Sequence, residues 1–373
     1  MHRVLPLTRE DGAVEAETNK AFRPVSVSII MPVRNEAKHI DQCLGAILAQ
    51  DYPPELMEII IADGMSTDDT RTIIGQLAAD HPAIRIVVLD NPLRIAPSAL
   101  NLAIAQSTGD VILRVDGHTF IAPDYVSQCI AALQTSGADN VGGGTEPMCH
   151  GRFGEAISLA TGTSFGVGHG RWRHASQERW VDTVYLGAWP RHVFEQIGLF
   201  DEEQVRNQDD EFNYRLREHG GSVLMSPRVK SSYYNRSTPL SLWRQYFQYG
   251  YWKVRVMQKH PGQMRVRQFI PPLFVATLLL TAVLAPFTSF GLWMLVLTAS
   301  CYTAANLGAS VWTGRKAGIA MLPLLMMAFA ILHVSYGLGF LVGLVRFWNC
   351  WGQHGRIMRL MSSHDASASI ECR

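Results

Sequence analysis

The first half of the chain alternates short apolar runs with segments whose apolar residues recur at helical spacing. Four runs have the length and β-branched content of buried strands, at residues 25–33, 57–62, 84–89 and 111–115. Helices are predicted after Asn35, from about Thr67, and over residues 97–106. Strands that alternate with helices at these intervals predict βαβ units and a parallel sheet. The first half is therefore expected to form an α/β domain.

The second half carries three long apolar stretches, at residues 269–287, 290–311 and 319–345. Each reaches the length of about 20 residues that a helix needs to cross a bilayer. None of them contains Asp, Glu, Lys or Arg, so we expect about three transmembrane helices rather than buried core helices. Three glycines interrupt the third stretch between residues 337 and 343, which leaves a re-entrant hairpin as the alternative there.

The charges of the chain are divided between its two halves. Residues 1–218 contain 18 Lys and Arg against 30 Asp and Glu, whereas residues 219–364 contain 14 Lys and Arg and no acid. A basic half that is also apolar indicates a membrane partner and argues against nucleic acid. Arg265, Arg267 and Arg315 flank the first two spans, so the positive-inside rule predicts a multi-pass protein of the inner membrane with its α/β domain in the cytoplasm. The basic residues after the third span conflict with three crossings, which leaves the topology open.

These patterns predict five segments. They are a polar N-terminal tail (residues 1–24), an α/β domain (25–235), a basic aromatic segment (236–268), the transmembrane region (269–345) and a C-terminal tail (346–373). The basic aromatic segment is typical of a helix that lies on an anionic membrane surface. Its alternative is a helix packed on the α/β domain. Charged residues make up only 17% of the chain, which excludes a disordered protein.

Polar residues follow three of the predicted strands. Asn35 and Glu36 follow the first, Asp63 and Ser66 end the second, and Asp116 with His118 follows the fourth. Ligands of open parallel sheets bind outside the carboxyl ends of the strands, so these residues are candidates for one binding site. Their simpler role would be that of turn formers and helix caps.

Four motifs carry a resemblance to a known family. They are VSIIMPVRNEAKHIDQCLGAIL, EIIIADGMSTDDT, GDVILRVDGHTFIAPDYV and WVDTVYLGAWPRHVFEQIGLFDEEQVRNQDDEFNYRLREHGG. In this order they resemble glycosyltransferase family 2, in its ExoA-like branch of membrane-attached glucosyltransferases of succinoglycan assembly. The resemblance covers residues 25–260. It implies the GT-A fold, which is a Rossmann-like nucleotide-sugar-binding domain, here followed by transmembrane helices.

The resemblance also implies roles for the residues at the strand ends. It assigns donor binding to Pro32, Asn35, Glu36, Asp63, Ser66 and Asp116. Asp116 and His118 occupy the two metal-binding positions of the family's Asp-x-Asp motif, and strand alternation points both side chains the same way. The cofactor is expected to be Mn²⁺ or Mg²⁺, with a preference for Mn²⁺ because imidazole is a poor ligand of Mg²⁺. Three glycines at residues 142–144 either leave room beside the donor sugar or form a turn.

The resemblance places the catalytic base at Asp209. Gln208 stands where the family has Glu, so Asp210 is the alternative base. An inverting single displacement needs one carboxylate that accepts the proton of the acceptor hydroxyl. The acids could instead complement the dipole at the start of a helix, and Arg215 could pair with Glu211 one turn away.

The expected function is that of a membrane-anchored inverting hexosyltransferase of exopolysaccharide biosynthesis. Its donor would be a UDP-sugar, with UDP-glucose as the candidate, and its acceptor a lipid-linked saccharide. One alternative is transfer to polyprenyl phosphate itself. Another is a non-catalytic membrane scaffold that binds nucleotide-sugar, which Gln208 and His118 favour because they depart from the family pattern.

Overall fold

The computed structural model describes residues 24–168, 177–315 and 317–351. The predicted tail at residues 1–24 lies almost wholly outside the described residues, as does most of the predicted tail at 346–373. The described chain forms two compact units. The first, called the sheet unit, contains residues 24–148 and 177–235, and the second, called the helical unit, contains residues 149–168 and 236–351.

The sheet unit is built around one nine-stranded sheet within the described residues. Its strands are β1 (Val27–Val33), β2 (Met57–Asp63), β3 (Arg85–Asp90), β4 (Val111–Arg114), β5 (Thr119–Ile121), β6 (Asn140–Met148), β7 (Arg179–Trp180), β8 (Tyr185–Pro190) and β9 (Val223–Tyr234). Its helices are α1 (Ile40–Leu48), α2 (Thr70–Asp80), α3 (Ala96–Gln106), α4 (Tyr125–Ser136), α6 (His192–Ile197) and α7 (Gln208–Glu218). The four strands and three helices predicted in the first half are confirmed, with ends that shift by one to three residues.

The strand order creates a crevice at one position of the sheet. The order is β3-β2-β1-β4-β8-β6-β9-β5, and β1 to β4 are mutually parallel. The chain runs outward from β1 to β3 and then returns to place β4 on the other side of β1. In such sheets the reversal opens a crevice at the carboxyl ends of the two central strands. The residues that follow β1 and β4 therefore border one crevice.

The rest of the sheet departs from the parallel arrangement that the pattern predicts. β8 is antiparallel to β4 and to β6, and β5 is antiparallel to β9. The alternation of strands and helices continues only as far as β4, so this mixed half has no equally clear signal in the sequence.

Both faces of the central strand β1 are covered. Along β1, Ile29 and Met31 belong to one buried apolar cluster, while Ile30 belongs to a second cluster on the other face. This alternation explains why the run is apolar throughout, because a strand buried on both faces has no polar side. Only its carboxyl end carries polar groups toward solvent.

The three glycines at residues 142–144 lie within β6 and not in a turn. A Cβ atom on Gly143 would stand 1.6 Å from the backbone oxygen of Val229 in β9. A Cβ on Gly142 would meet the side chain of Val184 at 2.6 Å. The glycines therefore permit close packing of strands, and the predicted turn is wrong.

The helical unit contains α5 (Gly151–Thr161), α8 (Pro239–Lys259), α9 (Ile270–Leu284), α10 (Ser289–Gly314) and α11 (Leu322–Arg346). Three helical segments are long and apolar enough to cross a membrane, namely Val266–Leu284, Ser289–Gly314 and Ile319–Arg346. The third apolar stretch forms one continuous helix from Leu322 to Arg346, so the re-entrant hairpin is not formed.

Glycines on α11 allow α8 to pack closely along it. A Cβ on Gly339 would stand 2.0 Å from the backbone oxygen of Phe247 in α8, and one on Gly343 would stand 2.7 Å from that of Tyr251. On the α8 side, a Cβ on Gly250 would stand 2.0 Å from the backbone oxygen of Tyr336. Small residues at such contacts let two helix backbones approach each other. The glycines in the third apolar stretch thus have a packing role.

Candidate active site at the carboxyl ends of β1, β2 and β4

Asn35 and Ser66 join the loops that follow β1 and β2. The backbone N–H of Asn35 donates to Oγ of Ser66 at 2.8 Å, and Oδ1 of Asn35 accepts from the backbone N–H of Thr67 at 2.8 Å. Asn35 has a left-handed backbone with φ of 55°, which asparagine tolerates better than most residues. Pro32 lies half-buried in β1 opposite Ala62 of β2. The structure brings these predicted donor residues to one edge of the sheet.

Asp63 is fully buried beneath the same edge. Its carboxylate accepts from the backbone N–H of Ser66 at 3.0 Å, from Oγ of Ser66 at 2.5 Å and from Nε of Arg71 at 2.5 Å. These contacts stabilise the turn that presents Ser66. In this arrangement Asp63 shapes the loop, and its predicted contact with a nucleotide stays a prediction.

Glu36 and His118 pair across the crevice between β1 and β4. Nδ1 of His118 lies 3.0 Å from Oε1 of Glu36, with 40% and 21% of the two side chains exposed. The backbone N–H of Glu36 donates to Oγ1 of Thr70 at 2.8 Å. The pair connects a residue predicted to line the nucleotide pocket with one predicted to bind metal, and the contact orients the imidazole ring.

Arg114 joins Asp116 to Asp209. Nε and Nη2 of Arg114 donate to the two carboxylate oxygens of Asp116 at 2.7 and 3.1 Å, and Nη1 donates to Oδ1 of Asp209. Arg114 is the last residue of β4 and is only 3% exposed. Asp209 lies in the first turn of α7. The predicted base and the predicted metal-binding carboxylate are therefore held by one guanidinium.

The surroundings separate the pKa values of the two carboxylates. Burial would raise the pKa of Asp116, but the Arg114 guanidinium outweighs it and holds that pKa below its usual range. Burial raises the pKa of Asp209 to about 6, because the attraction of Arg114 is opposed by the charges of Asp116 and Asp210. A carboxylate with a pKa near neutrality is suited to accept and release a proton.

The two acids that follow Asp209 in α7 have different surroundings. Asp210 is half-buried beside Asp209 and contributes to the raised pKa of that residue. Glu211 is 2% exposed and pairs with Arg215 through contacts of 2.8 and 2.9 Å. Arg215 also donates to the backbone oxygens of Ile197 and Leu199. The expected pair between Glu211 and Arg215 is confirmed, and it fastens α7 to the loop before it.

The candidate site offers a divalent cation two predicted ligands, Asp116 and His118. Within residues 24–168, 177–315 and 317–351 there is no group of three or more His, Cys, Asp or Glu that could hold a metal. Asp116 and His118 nevertheless suit Mn²⁺ by chemistry, and a carboxylate has about four lone-pair positions, of which Arg114 uses two. Divalent cations at nucleotide sites are commonly held by one or two carboxylates together with substrate phosphates. The residues fit a metal whose shell is completed by a diphosphate.

Arg114 is the residue of this site that motif reading missed. Its signal in the sequence is an arginine within the run Val111–Arg114 followed by Val115, where each neighbour is apolar and buried. A buried guanidinium requires a paired carboxylate because burying an unpaired charge is costly. That signal predicts a partner, but it does not say which carboxylate.

An open α/β sheet with acidic and polar groups around its central crevice is the architecture of the GT-A glycosyltransferases. The sequence profile of "Glycosyl transferase family 2" matches residues 28–160. The chain is 31% identical over 314 residues to the succinoglycan biosynthesis protein ExoA of Rhizobium meliloti (strain 1021), covering 84% of this chain and 93% of that protein. The chain belongs to glycosyltransferase family 2, and it is an enzyme of that class.

Two further proteins resemble the chain. It is 30% identical over 239 residues to the dolichyl N-acetyl-alpha-D-glucosaminyl phosphate 3-beta-D-2,3-diacetamido-2,3-dideoxy-beta-D-glucuronosyltransferase of Methanococcus voltae, covering 62% of this chain and 74% of that protein. The mannosyltransferase PcManGT of Pyrobaculum calidifontis, solved with GDP-Man and Mn²⁺, superposes with a TM-score of 0.55. That match has 20% sequence identity and covers 86% of this chain and 88% of that one. It supports the GT-A fold.

Proposed function

We propose that this enzyme is a membrane-anchored inverting glycosyltransferase that moves a hexose from a UDP-sugar to a lipid-linked saccharide in exopolysaccharide biosynthesis. The observation that carries the proposal is the arrangement in which Arg114 connects Asp116 at the end of β4 with Asp209 at the start of α7. Residues 25–235 would catalyse the transfer and residues 269–345 would anchor the enzyme. The similarity to ExoA along 93% of that protein supports the polysaccharide assignment.

Donor binding is assigned to the edge where β1, β2 and β4 end. The loops of Asn35 and Ser66 supply polar groups for the base and ribose, and Asp63 stabilises the turn that holds Ser66. The diphosphate would lie near Asp116 and His118. These two residues would hold Mn²⁺ or Mg²⁺, and a bound divalent cation would stabilise the negative charge that develops on the leaving nucleotide.

Asp209 acts as the base in this proposal. Its carboxylate accepts the proton of the acceptor hydroxyl as that oxygen attacks the anomeric carbon and the bond to the diphosphate breaks. A single displacement of this kind inverts the anomeric configuration and needs no nucleophile from the enzyme. Arg114 keeps Asp209 in place by a hydrogen bond to one of its oxygens, and the other oxygen is then the one that faces the acceptor.

The membrane assignment rests on the helical unit. Three helical segments, Val266–Leu284, Ser289–Gly314 and Ile319–Arg346, have the length and hydropathy of membrane-spanning helices. α8, which packs along α11, carries the exposed Arg244, while its Lys253 and Arg255 are buried. Basic side chains near a bilayer favour an anionic surface. Anchoring would place the active site next to an acceptor confined to the cytoplasmic leaflet, which raises the effective concentration of that acceptor. The name of the Methanococcus voltae relative describes a lipid-phosphate-linked sugar, which supports an acceptor of this class.

The direct test is a panel of UDP- and GDP-sugars incubated with purified enzyme, Mn²⁺ and a bacterial lipid extract. We expect one UDP-hexose to be consumed and its sugar to appear in a lipid-soluble product that mild acid releases as an oligosaccharide. Release of a monosaccharide would mean that polyprenyl phosphate is the acceptor. Consumption of a GDP-sugar alone would contradict the proposed donor.

Paired variants test the base. Asp209→Asn keeps the shape of the side chain but cannot accept a proton, so kcat should fall by about 10²–10⁴-fold while the donor Kd stays near that of the wild type. Asp210→Asn is the matched control on the same helix turn and should cost far less. If Asp210→Asn is the inactive variant, the base is its neighbour and not Asp209. Full activity in both would favour a base elsewhere, and no transfer by the wild type with any donor would favour the binding scaffold.

A further inference from the structure

Arg114 is a charged residue in a buried, apolar strand of the sheet. It ends β4, whose other residues, Val111, Ile112 and Leu113, are all apolar and buried. Its own side chain is 4% exposed. A cation at such a place destabilises the fold unless it is fully paired. The sequence therefore places an energetically unfavourable residue two positions before Asp116.

The three nitrogens of the Arg114 guanidinium contact two different carboxylates. Nε and Nη2 form a two-point contact with Asp116, which fixes the plane of the guanidinium, and Nη1 reaches Asp209. Because the group is planar and rigid, fixing it on Asp116 also fixes the position and direction of Nη1. Lysine has one nitrogen on a flexible stem and cannot make both contacts with defined geometry.

The two carboxylates come from parts of the chain that are far apart in sequence. Arg114 and Asp209 are separated by 95 residues. Across this separation, Nη1 of Arg114 donates a hydrogen bond to the Asp209 carboxylate. The position of the carboxylate relative to the end of β4 thus depends on this contact in addition to the packing of α7.

We propose that Arg114 is a positioning residue that sets the separation between the base Asp209 and the donor diphosphate at Asp116. The inference rests on the proposed function, because it takes Asp209 as the base and Asp116 as the donor-side carboxylate. The guanidinium works as a spacer of fixed length and does not touch either substrate. A displacement of about 1 Å at a reacting group can cost about 10²-fold in rate.

The test uses Arg114→Lys, which keeps the buried positive charge and removes the two-point contact. We expect kcat to fall by about 10²-fold in a variant that remains folded, with a Tm lowered by the loss of the two-point contact. Arg114→Gln is a second variant, since a neutral side chain leaves no unpaired buried cation if the lysine is poorly accommodated. The matched control is Arg191→Lys, whose guanidinium donates to the backbone oxygen of Gly109 and to Oγ of Ser107 at the opposite end of β4. Its kcat should equal that of the wild type.

A double-variant cycle separates positioning from a general loss of structure. If Arg114 acts through Asp209, then adding Arg114→Lys to Asp209→Asn should lower kcat no further than Asp209→Asn alone. Losses that multiply would overturn the proposal, as would a wild-type kcat in folded Arg114→Lys and Arg114→Gln. An equal loss in Arg191→Lys would also overturn it, because the effect would then belong to the sheet as a whole.

The outcome can be told apart from a failure of the proposed function. If Asp209→Asn is slow and Arg114→Lys is normal, the base assignment stands and only the positioning role is wrong. If Asp209→Asn has full activity, the base assignment is wrong, and the positioning role of Arg114, which rests on it, is overturned as well.

Discussion

The raised pKa of Asp209 predicts that acid slows the reaction at a higher pH than an ordinary aspartate would allow. Burial and the neighbouring acids raise the pKa of this carboxyl from 3.8 to about 6. The base must be ionised to accept a proton, so activity is present above this pKa and is lost as the pH falls through it. We expect kcat to be nearly constant from about pH 7 to 8, to decline as the pH falls below about 7, and to reach half of its plateau at about pH 6.

The size of the decline follows from the titration curve. One pH unit below a pKa of about 6, roughly one-tenth of Asp209 is ionised, so kcat at pH 5 should be roughly one-tenth of its plateau. An aspartate with the ordinary pKa of about 3.9 would still be about 90% ionised at pH 5 and would lose roughly one-tenth of the rate. The two expectations differ by about ninefold at a single pH value.

The assay measures initial rates between pH 5 and 8 at saturating donor, acceptor and Mn²⁺, with the donor Kd determined at each pH. Asp210→Asn should keep a declining acid limb, whereas the residual rate of Asp209→Asn should not depend on pH. A decline that disappears when more Mn²⁺ is added belongs to metal binding at Asp116 and His118. A kcat at pH 5 within twofold of the value at pH 8 would refute the reasoning.

Three other results are expected. Glu36→Gln should weaken Mn²⁺ binding by about 10- to 100-fold in an EPR titration, because Glu36 orients the ring of His118; an unchanged affinity would mean that His118 is not a ligand. Gly143→Ala should lower the Tm sharply or prevent folding, since the new Cβ would overlap a β9 backbone oxygen. Gly45→Ala, whose Cβ would have no atom within 4 Å, should not lower the Tm. Equal Tm values would contradict the packing described for β6. A chain that ends at His260 should still bind UDP in calorimetry. It should aggregate in sedimentation, because it lacks α11, against which α5 buries its apolar face. Loss of UDP binding by a folded, truncated chain would show that the helical unit contributes to the donor site.

Local patterns were sufficient for the regular elements as far as β4, and they placed the candidate donor residues at one edge of the sheet. The strands from β1 to β4 are mostly apolar runs. β1, β2 and β4 are buried along nearly their whole length, as a run of that kind predicts, whereas β3 at the edge of the sheet is partly exposed. The polar residues after β1, β2 and β4 were found in the same way, because the carboxyl ends of parallel strands lie at one edge. The three candidate membrane helices follow from length and hydropathy alone, since a bilayer needs about 20 apolar residues to be crossed.

Contacts between distant segments were decided only by the tertiary structure. The antiparallel placement of β8 beside β4 depends on which strand reaches the open edge, and no local pattern records that choice. The glycines at residues 142–144 read as a turn or as space for a sugar, yet a neighbouring strand makes them necessary. In the same way, the glycines of α11 suggested a break in the helix and instead accommodate α8.

The candidate catalytic residues show the same difference between what local sequence determines and what the tertiary structure decides. The sequence supplied Asp116 and Asp209 as candidates through the resemblance of their motifs to the family, and the roles that the resemblance implies stay predictions. It also contained a charged residue in an apolar strand, Arg114, which predicts only that some carboxylate is near. The structure decided that this one guanidinium serves both acids, 95 residues apart for Asp209. The physical reason is that burial and pairing depend on distances in space, and a linear pattern records distance only within a single strand or helix.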